Sequence, residues 1–164
     1  MVIVAGPWTP PALETFWPTQ AGSSGGAVKV IQAAAAVQGQ AESLKAGLRE
    51  ILRLAPEAPG VMILLGDMPL VGAKLVRALR KAFQTELAAG RPASLAPTFQ
   101  GRRGHPVVLP ARLFSRVLAL RGDEGARRVL AQAPIHLLPW PDDSCLVDVD
   151  TPEDYDRLTA RLSG

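Results

Sequence analysis

The sequence predicts an α/β protein built in three layers, with a mostly parallel sheet covered by helices on both faces. Three observations carry that expectation. Apolar runs of strand length alternate with stretches of helical periodicity along the whole chain. Residues 61–65 form a continuous apolar run that stops at Gly66-Asp67 before Pro69 turns the backbone. That pattern suits a parallel strand buried on both faces, with a loop at its C-terminal end. Finally, Thr151-Pro152-Glu153-Asp154 opens the last helix. Thr is a good N-cap, Pro fits the first helical position, and acidic residues suit the positive first turn.

Taken in order, residues 2–5 are a short apolar strand ending at Gly6-Pro7. Pro10 and Pro11 open a helix through Phe16-Trp17, and residues 22–26 are a Ser/Gly loop. Residues 28–31 form a second strand. Residues 41–54 place Leu44, Leu48, Ile51 and Leu52 on one face and Lys45, Arg49 and Arg53 opposite, which predicts an amphipathic helix. Residues 74–87 repeat the spacing with Leu75, Leu79 and Phe83 and end at Gly90. Strands are expected at 94–97, after a turn at 101–104 over 106–109, and again at 135–138 and 145–149. Short helices are expected at 112–120 and 124–131, divided by Gly122-Asp123. Tyr155, Leu158 and Leu162 give the final helix its apolar stripe.

Composition sets bounds. With 164 residues the chain is long enough for a substantial core, and residues 1–164 are expected to form a single domain. The net charge of +3 is spread over several helices with no basic block interleaved with aromatics, so nucleic acid is not an expected partner. A phosphorylated small molecule suits that charge. A lone Cys145 excludes an internal disulfide and fits a reducing cytoplasm. Early prolines and the lack of a long apolar stretch argue against a signal peptide and against membrane spans.

Two carboxylate positions carry the chemistry. In open α/β sheets ligands bind at the C-terminal ends of strands, and Asp67 follows such an end. It either holds a divalent cation there or caps the helix that follows. Asp148-Val149-Asp150 ends another apolar run just before a helix. Alternate strand residues share a face, so Asp148 and Asp150 point the same way. If the two tips are neighbours, Asp67 and one of this pair share a Mg²⁺, which takes one or two carboxylates and leaves the rest to water and phosphate. Otherwise Asp150 belongs to the helix start and Asp148 to the surface. Gly101-Arg102-Arg103-Gly104-His105-Pro106 is a third group: either a solvated turn or a site where the two cations meet an anion. His136, among apolar neighbours, reads as structural.

Together these segments resemble the MobA-like NTP transferases. Leu-Leu-Gly-Asp-Met-Pro-Leu-Val (64–71) is similar to the family's metal-site strand. Gly-Arg-Arg-Gly-His-Pro-Val (101–107), Gly-Asp-Glu-Gly-Ala-Arg (122–127) and Asp-Val-Asp-Thr-Pro-Glu-Asp (148–154) follow in the family's order. Gly-Gln-Ala-Glu-Ser-Leu-Lys-Ala-Gly-Leu (39–48) resembles the segment that precedes them. The branch most resembled is the molybdenum cofactor cytidylyltransferases, called MocA-like. The resemblance implies a nucleotide-diphospho-sugar transferase-like, Rossmann-like fold. It also implies nucleotidyl transfer from an NTP, with CTP favoured, to a phosphate-bearing acceptor, with molybdopterin favoured. Asp67 and Asp150 are then the catalytic and Mg²⁺-binding carboxylates. Gly39, Ser43, Leu44 and Gly66 line the nucleotide, and Arg102, Arg103, Gly104 and His105 meet the acceptor.

One family feature has no match. The usual opening, Leu-Ala-Ala-Gly-x-Ser-x-Arg-Met-Gly-x-x-Lys, is absent; residues 2–7 suit the family's second strand better, and Ser23-Ser24-Gly25-Gly26 with Lys29 precedes a strand instead of a helix. The expectation is therefore an N-terminally truncated domain lacking its first βα unit, with a protein partner or dimer as one way to complete it. Two alternatives stand beside the enzyme: a non-catalytic pterin- or nucleotide-binding relative, and a sugar transferase using Asp148-Val149-Asp150 as an Asp-x-Asp metal motif.

Overall fold

The structure, a computed structural model, describes residues 1–7, 9, 28–131 and 133–163. The helix expected from Pro10 and the Ser/Gly loop at 22–26 lie outside these residues. In chain order the elements are β1 (Val2–Ala5), β2 (Lys29–Gln32), a 3-10 turn (Ala34–Gln38), α1 (Gln40–Leu54), β3 (Gly60–Ile63), α2 (Ala73–Ala88), β4 (Ser94–Phe99), β5 (Arg102–Arg103), β6 (Val107–Pro110), a 3-10 turn (Ala111–Leu113), α3 (Phe114–Leu118), α4 (Ala126–Leu130), β7 (Ile135–Pro139), a 3-10 turn (Asp143–Cys145) and α5 (Pro152–Ser163). They fall into two compact units, one made of Met1–Pro59 with Ala111–Gln132, the other of Gly60–Pro110 with Ala133–Gly164.

In the first unit β1 and β2 pair in parallel, Val2 opposite Lys29 through Ala5 opposite Gln32. Helix α1 lies close to β1 because Gly47 has no side chain: a Cβ there would sit 2.9 Å from Val4 Cγ2. Of the face expected from the spacing, Leu48 is buried and Leu44, Ile51 and Leu52 are half-buried, and Ala41 is buried beside them. Helices α3 and α4 add Phe114, Val117, Val129 and Leu130 to the buried set.

The second unit is a five-stranded mixed sheet. β3 and β4 are both antiparallel to β6, and β7 is parallel to β4. Three strands therefore point one way, as a doubly wound sheet requires, and β6 is inserted between two of them in reverse. Leu75, Leu79 and Phe83 of α2 pack with Leu95, Val108 and Cys145 in the core. Gly60 lies under Phe83, where a Cβ would meet the ring at 2.5 Å.

Two strand expectations are corrected. β3 is not buried on both faces; only Val61 is buried, and among the described residues β3 pairs with β6 alone. Apolar content cannot tell a central strand from one with a single partner. The strand expected at 145–149 does not form. Asp142 accepts a hydrogen bond from the Ser144 amide at 3.0 Å and starts the 3-10 turn. Such Asx turns compete with strand pairing. The polar backbone groups beyond it are claimed by loops, with Cys145 O accepting from His105 N and Val149 N donating to Asp67 O.

Candidate active site

The Asp67 loop and the Asp148-Val149-Asp150 segment meet in the second unit. The Val149 amide donates to the Asp67 carbonyl at 2.9 Å. Residues 147–150 are in no ladder; Asp148 and Asp150 are exposed and Val149 is half-buried. Among the described residues the carboxylates of Asp67, Asp148 and Asp150 take part in no ion pair and accept no hydrogen bond.

The segment is anchored from below by the start of α5. Asp154 Oδ2 accepts from Thr151 N at 3.0 Å, from Thr151 Oγ1 at 2.7 Å and from Asp150 N at 3.3 Å. The Asp154 amide returns a bond to Thr151 Oγ1 at 3.2 Å, closing a capping box with Asp in the place usually held by Glu. The Thr151 hydroxyl, then Arg157, holds the Asp154 carboxyl below its ordinary range. Arg161 grips Asp143 with two bonds of 2.7 and 2.9 Å, fixing the far end of α5 to the 3-10 turn.

The hairpin β4–β5 positions the cationic group. Its turn residues, Gln100 and Gly101, both have positive φ, at 48° and 77°. Mirror-image two-residue turns match the twist of paired strands. The turn is therefore one position earlier than expected, and Arg102 and Arg103 are strand residues opposite Phe99 and Thr98. Both are exposed and have no carboxylate partner among the described residues. Gly104 passes so close to Cys145 that a Cβ would lie 2.2 Å from its carbonyl oxygen. Its amide donates to Pro97 O at 2.9 Å and the next amide, of His105, to Cys145 O at 2.9 Å. The His105–Pro106 peptide is cis. His105 Nδ1 is buried without a partner among the described residues. Burial holds this imidazole below its usual range, Arg103 lowers it further, and the charge of Asp67 opposes both. Asp67, Arg103 and His105 therefore share one electrostatic neighbourhood.

Gly39, Ser43 and Leu44 lie in the first unit, on the entry to α1. Gly39 has φ +123°, and a Cβ there would sit 2.3 Å from the Gly122 backbone. The close approach read from this glycine is made by another loop of the protein. Ser43 and Leu44 are half-buried on the first turns of α1, and Gly66 is exposed beside Asp67 with nothing within 4 Å of its would-be Cβ. Sequence reasoning missed Lys45, which reaches the Leu120 carbonyl at 3.1 Å, and the cap role of Asp154. The spacing Thr-x-x-Asp was the available signal for the second. His136, expected to be structural, is exposed on β7 with Nδ1 3.3 Å from Glu86 Oε1. Lys29, weighed as part of a phosphate loop, pairs with Glu50 at 2.6 Å.

The donor set can be tested against a metal. Free carboxylates on two segments joined by a main-chain bond suit a hard cation that takes one or two of them and keeps water and phosphate oxygens in its other positions. No group of three or more His, Cys, Asp or Glu gathers among the described residues, so a closed site of the structural-zinc kind is not present there. The donors present fit Mg²⁺ or Mn²⁺.

Residues 1–137 match the model of the MobA-like NTP transferase domain. The chain belongs to this family. The MobA-like chain is also 33% identical over 132 residues to purine catabolism protein PucB of Bacillus subtilis (strain 168), a match covering 78% of this chain and 60% of PucB. It therefore spans less than two thirds of that relative's length. Among solved structures, a mycobacterial homologue of Rv0371c from strain JC1 is similar at TM-score 0.69 and 25% identity, over 99% of this chain and 74% of that one. The manganese complex of Rv0371c from Mycobacterium tuberculosis H37Rv is similar at TM-score 0.63 and 25% identity, over 96% and 75%. Molybdopterin-guanine dinucleotide biosynthesis protein A from Archaeoglobus fulgidus, at 15% identity and TM-score 0.52 over 82% and 68%, shares the fold. These likenesses bear out the MobA-like resemblance and the α/β fold class. Among the described residues no helix is long and apolar enough to cross a membrane.

Proposed function

We propose that this MobA-like chain carries the site of a divalent-metal-dependent nucleotidyltransferase that moves an NMP from an NTP to a phosphate-bearing small molecule. CTP is the favoured nucleotide and molybdopterin the favoured acceptor, and the cytoplasm is where both would be met. The observation that carries this reading is the Val149–Asp67 main-chain bond, which brings two unpartnered acidic loops to one place in a chain of this family. The manganese complex of Rv0371c supports a divalent ion in the family fold.

The reaction is an in-line displacement. An acceptor phosphate oxygen forms a bond to the α-phosphorus of the NTP, the bond from that phosphorus to the bridging oxygen breaks, and pyrophosphate leaves. Little covalent work falls to the protein; positioning and charge neutralisation carry the rate. Asp67 and Asp150 would hold the cation, which supplies positive charge to the crowded phosphates when bound. Arg102 and Arg103 offer guanidinium forks to the acceptor's anion, and among the described residues no carboxylate occupies them. Gly104 fixes the loop against Cys145 so that His105 faces the same neighbourhood. Gly39, Ser43 and Leu44 would meet the nucleotide, with the Ser43 hydroxyl as a hydrogen-bonding group, and Gly66 would let the chain pass it closely.

The test is pyrophosphate release with CTP or GTP and molybdopterin, with Mg²⁺ or Mn²⁺, for this chain and for its Asp67→Ala and Asp150→Ala variants. Metal-dependent release lost in both variants supports the reading. Release that is equal in Asp67→Ala rules out Asp67 as a ligand. Nucleotide binding without any release favours a non-catalytic relative.

A further inference from the structure

The entry to α1 has an unusual support. A helix starts with backbone amides that need partners, and a side-chain cap normally provides one. Gly39 has no side chain to offer. The Ala41 amide is instead satisfied by the carbonyl of Gly122, at 3.0 Å, from a loop distant in sequence. That loop is stiff. The Arg121 amide donates to Glu124 Oε2 at 3.0 Å, and the Glu124 amide donates back to Arg121 O at 3.1 Å. Gly122 takes a positive φ of 54° to aim its carbonyl, and Gly39 lies against its backbone.

One side chain joins the two segments. The Lys45 ammonium donates to the Leu120 carbonyl at 3.1 Å and pairs with Glu42 one turn earlier on α1. Its side chain is only 11% exposed, so the bridge is largely withdrawn from water. Lys45 thus ties the residue that precedes the 121–124 turn to the first turns of α1. Ser43 lies between the two members of that ion pair.

We infer that Lys45 is a positioning residue for the nucleotide: by clamping the 120–124 loop onto α1 it holds the Gly122 carbonyl at the Ala41 amide and fixes Gly39 and Ser43. The inference rests on the proposed reading of Gly39, Ser43 and Leu44 as the nucleotide segment. A Lys45→Met change keeps the buried stem but leaves Leu120 O without a donor and Glu42 without a cation.

The experiment measures CTP and GTP dissociation constants by titration calorimetry with Mn²⁺, alongside steady-state pyrophosphate release, for the full chain and for Lys45→Met, Lys45→Arg, Glu42→Gln and Ser43→Ala. Lys45→Met is expected to weaken nucleotide binding about tenfold, the scale of one lost partly buried charge-assisted bond. The acceptor KM and kcat should stay within about twofold, since chemistry is retained once nucleotide saturates, and Lys45→Arg should recover most of the loss. Glu42→Gln, which keeps the Lys45–Leu120 bond, should fall between, and it carries the test if Lys45→Met does not fold. Unchanged nucleotide binding in folded Lys45→Met, together with weakened binding in Ser43→Ala, overturns this inference alone. Unchanged binding in Ser43→Ala, or no binding by the wild-type chain, overturns the nucleotide-segment reading and this inference with it. Equal losses toward nucleotide and acceptor in Lys45→Met would make the bridge a matter of stability only and also overturn it.

Discussion

Asp67 and Val149 are joined by their main chains: the carbonyl of one accepts the amide of the other at 2.9 Å. The bond matters because of what flanks it. Asp67 itself and the two neighbours of Val149, Asp148 and Asp150, are all exposed. Among the described residues no arginine or lysine pairs with these carboxylates, so their oxygens are open to a cation.

Removing either proposed ligand should abolish activity without unfolding the chain. Asp67→Ala or Asp150→Ala is expected to lower metal-dependent pyrophosphate release by about 100-fold or more, the scale of losing a metal's charge stabilisation. Thermal melting should be nearly unchanged, or slightly higher as repulsion is relieved. Calorimetric titration with Mn²⁺ gives an independent reading of the same loss.

The His105 ring reports on its neighbours. Its folded-state affinity for a proton is reduced by burial first and Arg103 second, with Asp67 opposing. Arg103→Ala should therefore raise its titration midpoint, and Asp67→Asn should lower it further, both readable by imidazole NMR. The sign for stability follows. The unfolded chain takes up this proton near the ordinary 6.5, so His105 favours the fold above that pH and loses its contribution as pH falls through its lower folded value. Equal midpoints in all three proteins would refute the shared neighbourhood.

Glu50 sets an acid limit. Arg53 first and Lys29 second hold its carboxyl at about 2, against an ordinary 4.5. Its pairing therefore helps the folded state above about pH 4.5 and fades as pH drops toward 2. Because Arg53 and Lys29 are themselves exposed, salt should screen most of the effect. A Glu50→Gln variant is expected to show a shallower acid unfolding profile at low salt and the same profile as wild type at high salt.

Leu79 is wholly buried in the core of the second unit. Leu79→Ala should cost about 3 kcal/mol, combining lost transfer energy with the cavity left behind. Chemical denaturation measures it. A cost below about 1 kcal/mol would mean that the site collapses or that the packing described around Phe83 and Leu95 is wrong.

Gly39 should not accept a side chain. Its φ of 123° lies in a region nearly closed to other residues, and a Cβ would overlap the Gly122 backbone. Gly39→Ala is expected to cost about 1–3 kcal/mol and to weaken nucleotide binding. A stable, fully binding Gly39→Ala variant would remove this glycine from the site.

The sequence carried the helices well. Leu75, Leu79 and Phe83 were set at helical spacing, and the same three side chains are buried on α2. The start of α5 was legible because Thr151 and Pro152 act locally, though the reciprocal bond from Asp154 was not foreseen. Strand partners were not legible. The run around Val61 looks the same whether its neighbours are parallel or antiparallel, since pairing depends on residues such as Val107 and Leu109 that are far along the chain. The segment after Cys145 misled for a related reason. It has strand-like alternation, but its backbone bonds go to His105 and Asp67, and no local pattern records that. A meeting of the Asp67 loop with the segment around Val149 was raised by two acidic tips and by the resemblance, and a main-chain bond joins them, while the Lys45–Leu120 bridge had no sequence signal at all.

The Val149–Asp67 bond also sets an order of events during synthesis. A nascent chain emerging from the ribosome exposes the Asp67 loop long before Val149, whose amide complements it, has been made. Contacts of such wide sequence separation close late. The acidic loop thus waits for its complement until Val149 has been made, and a nascent chain arrested ahead of Asp148 would present Asp67 without Asp148 and Asp150.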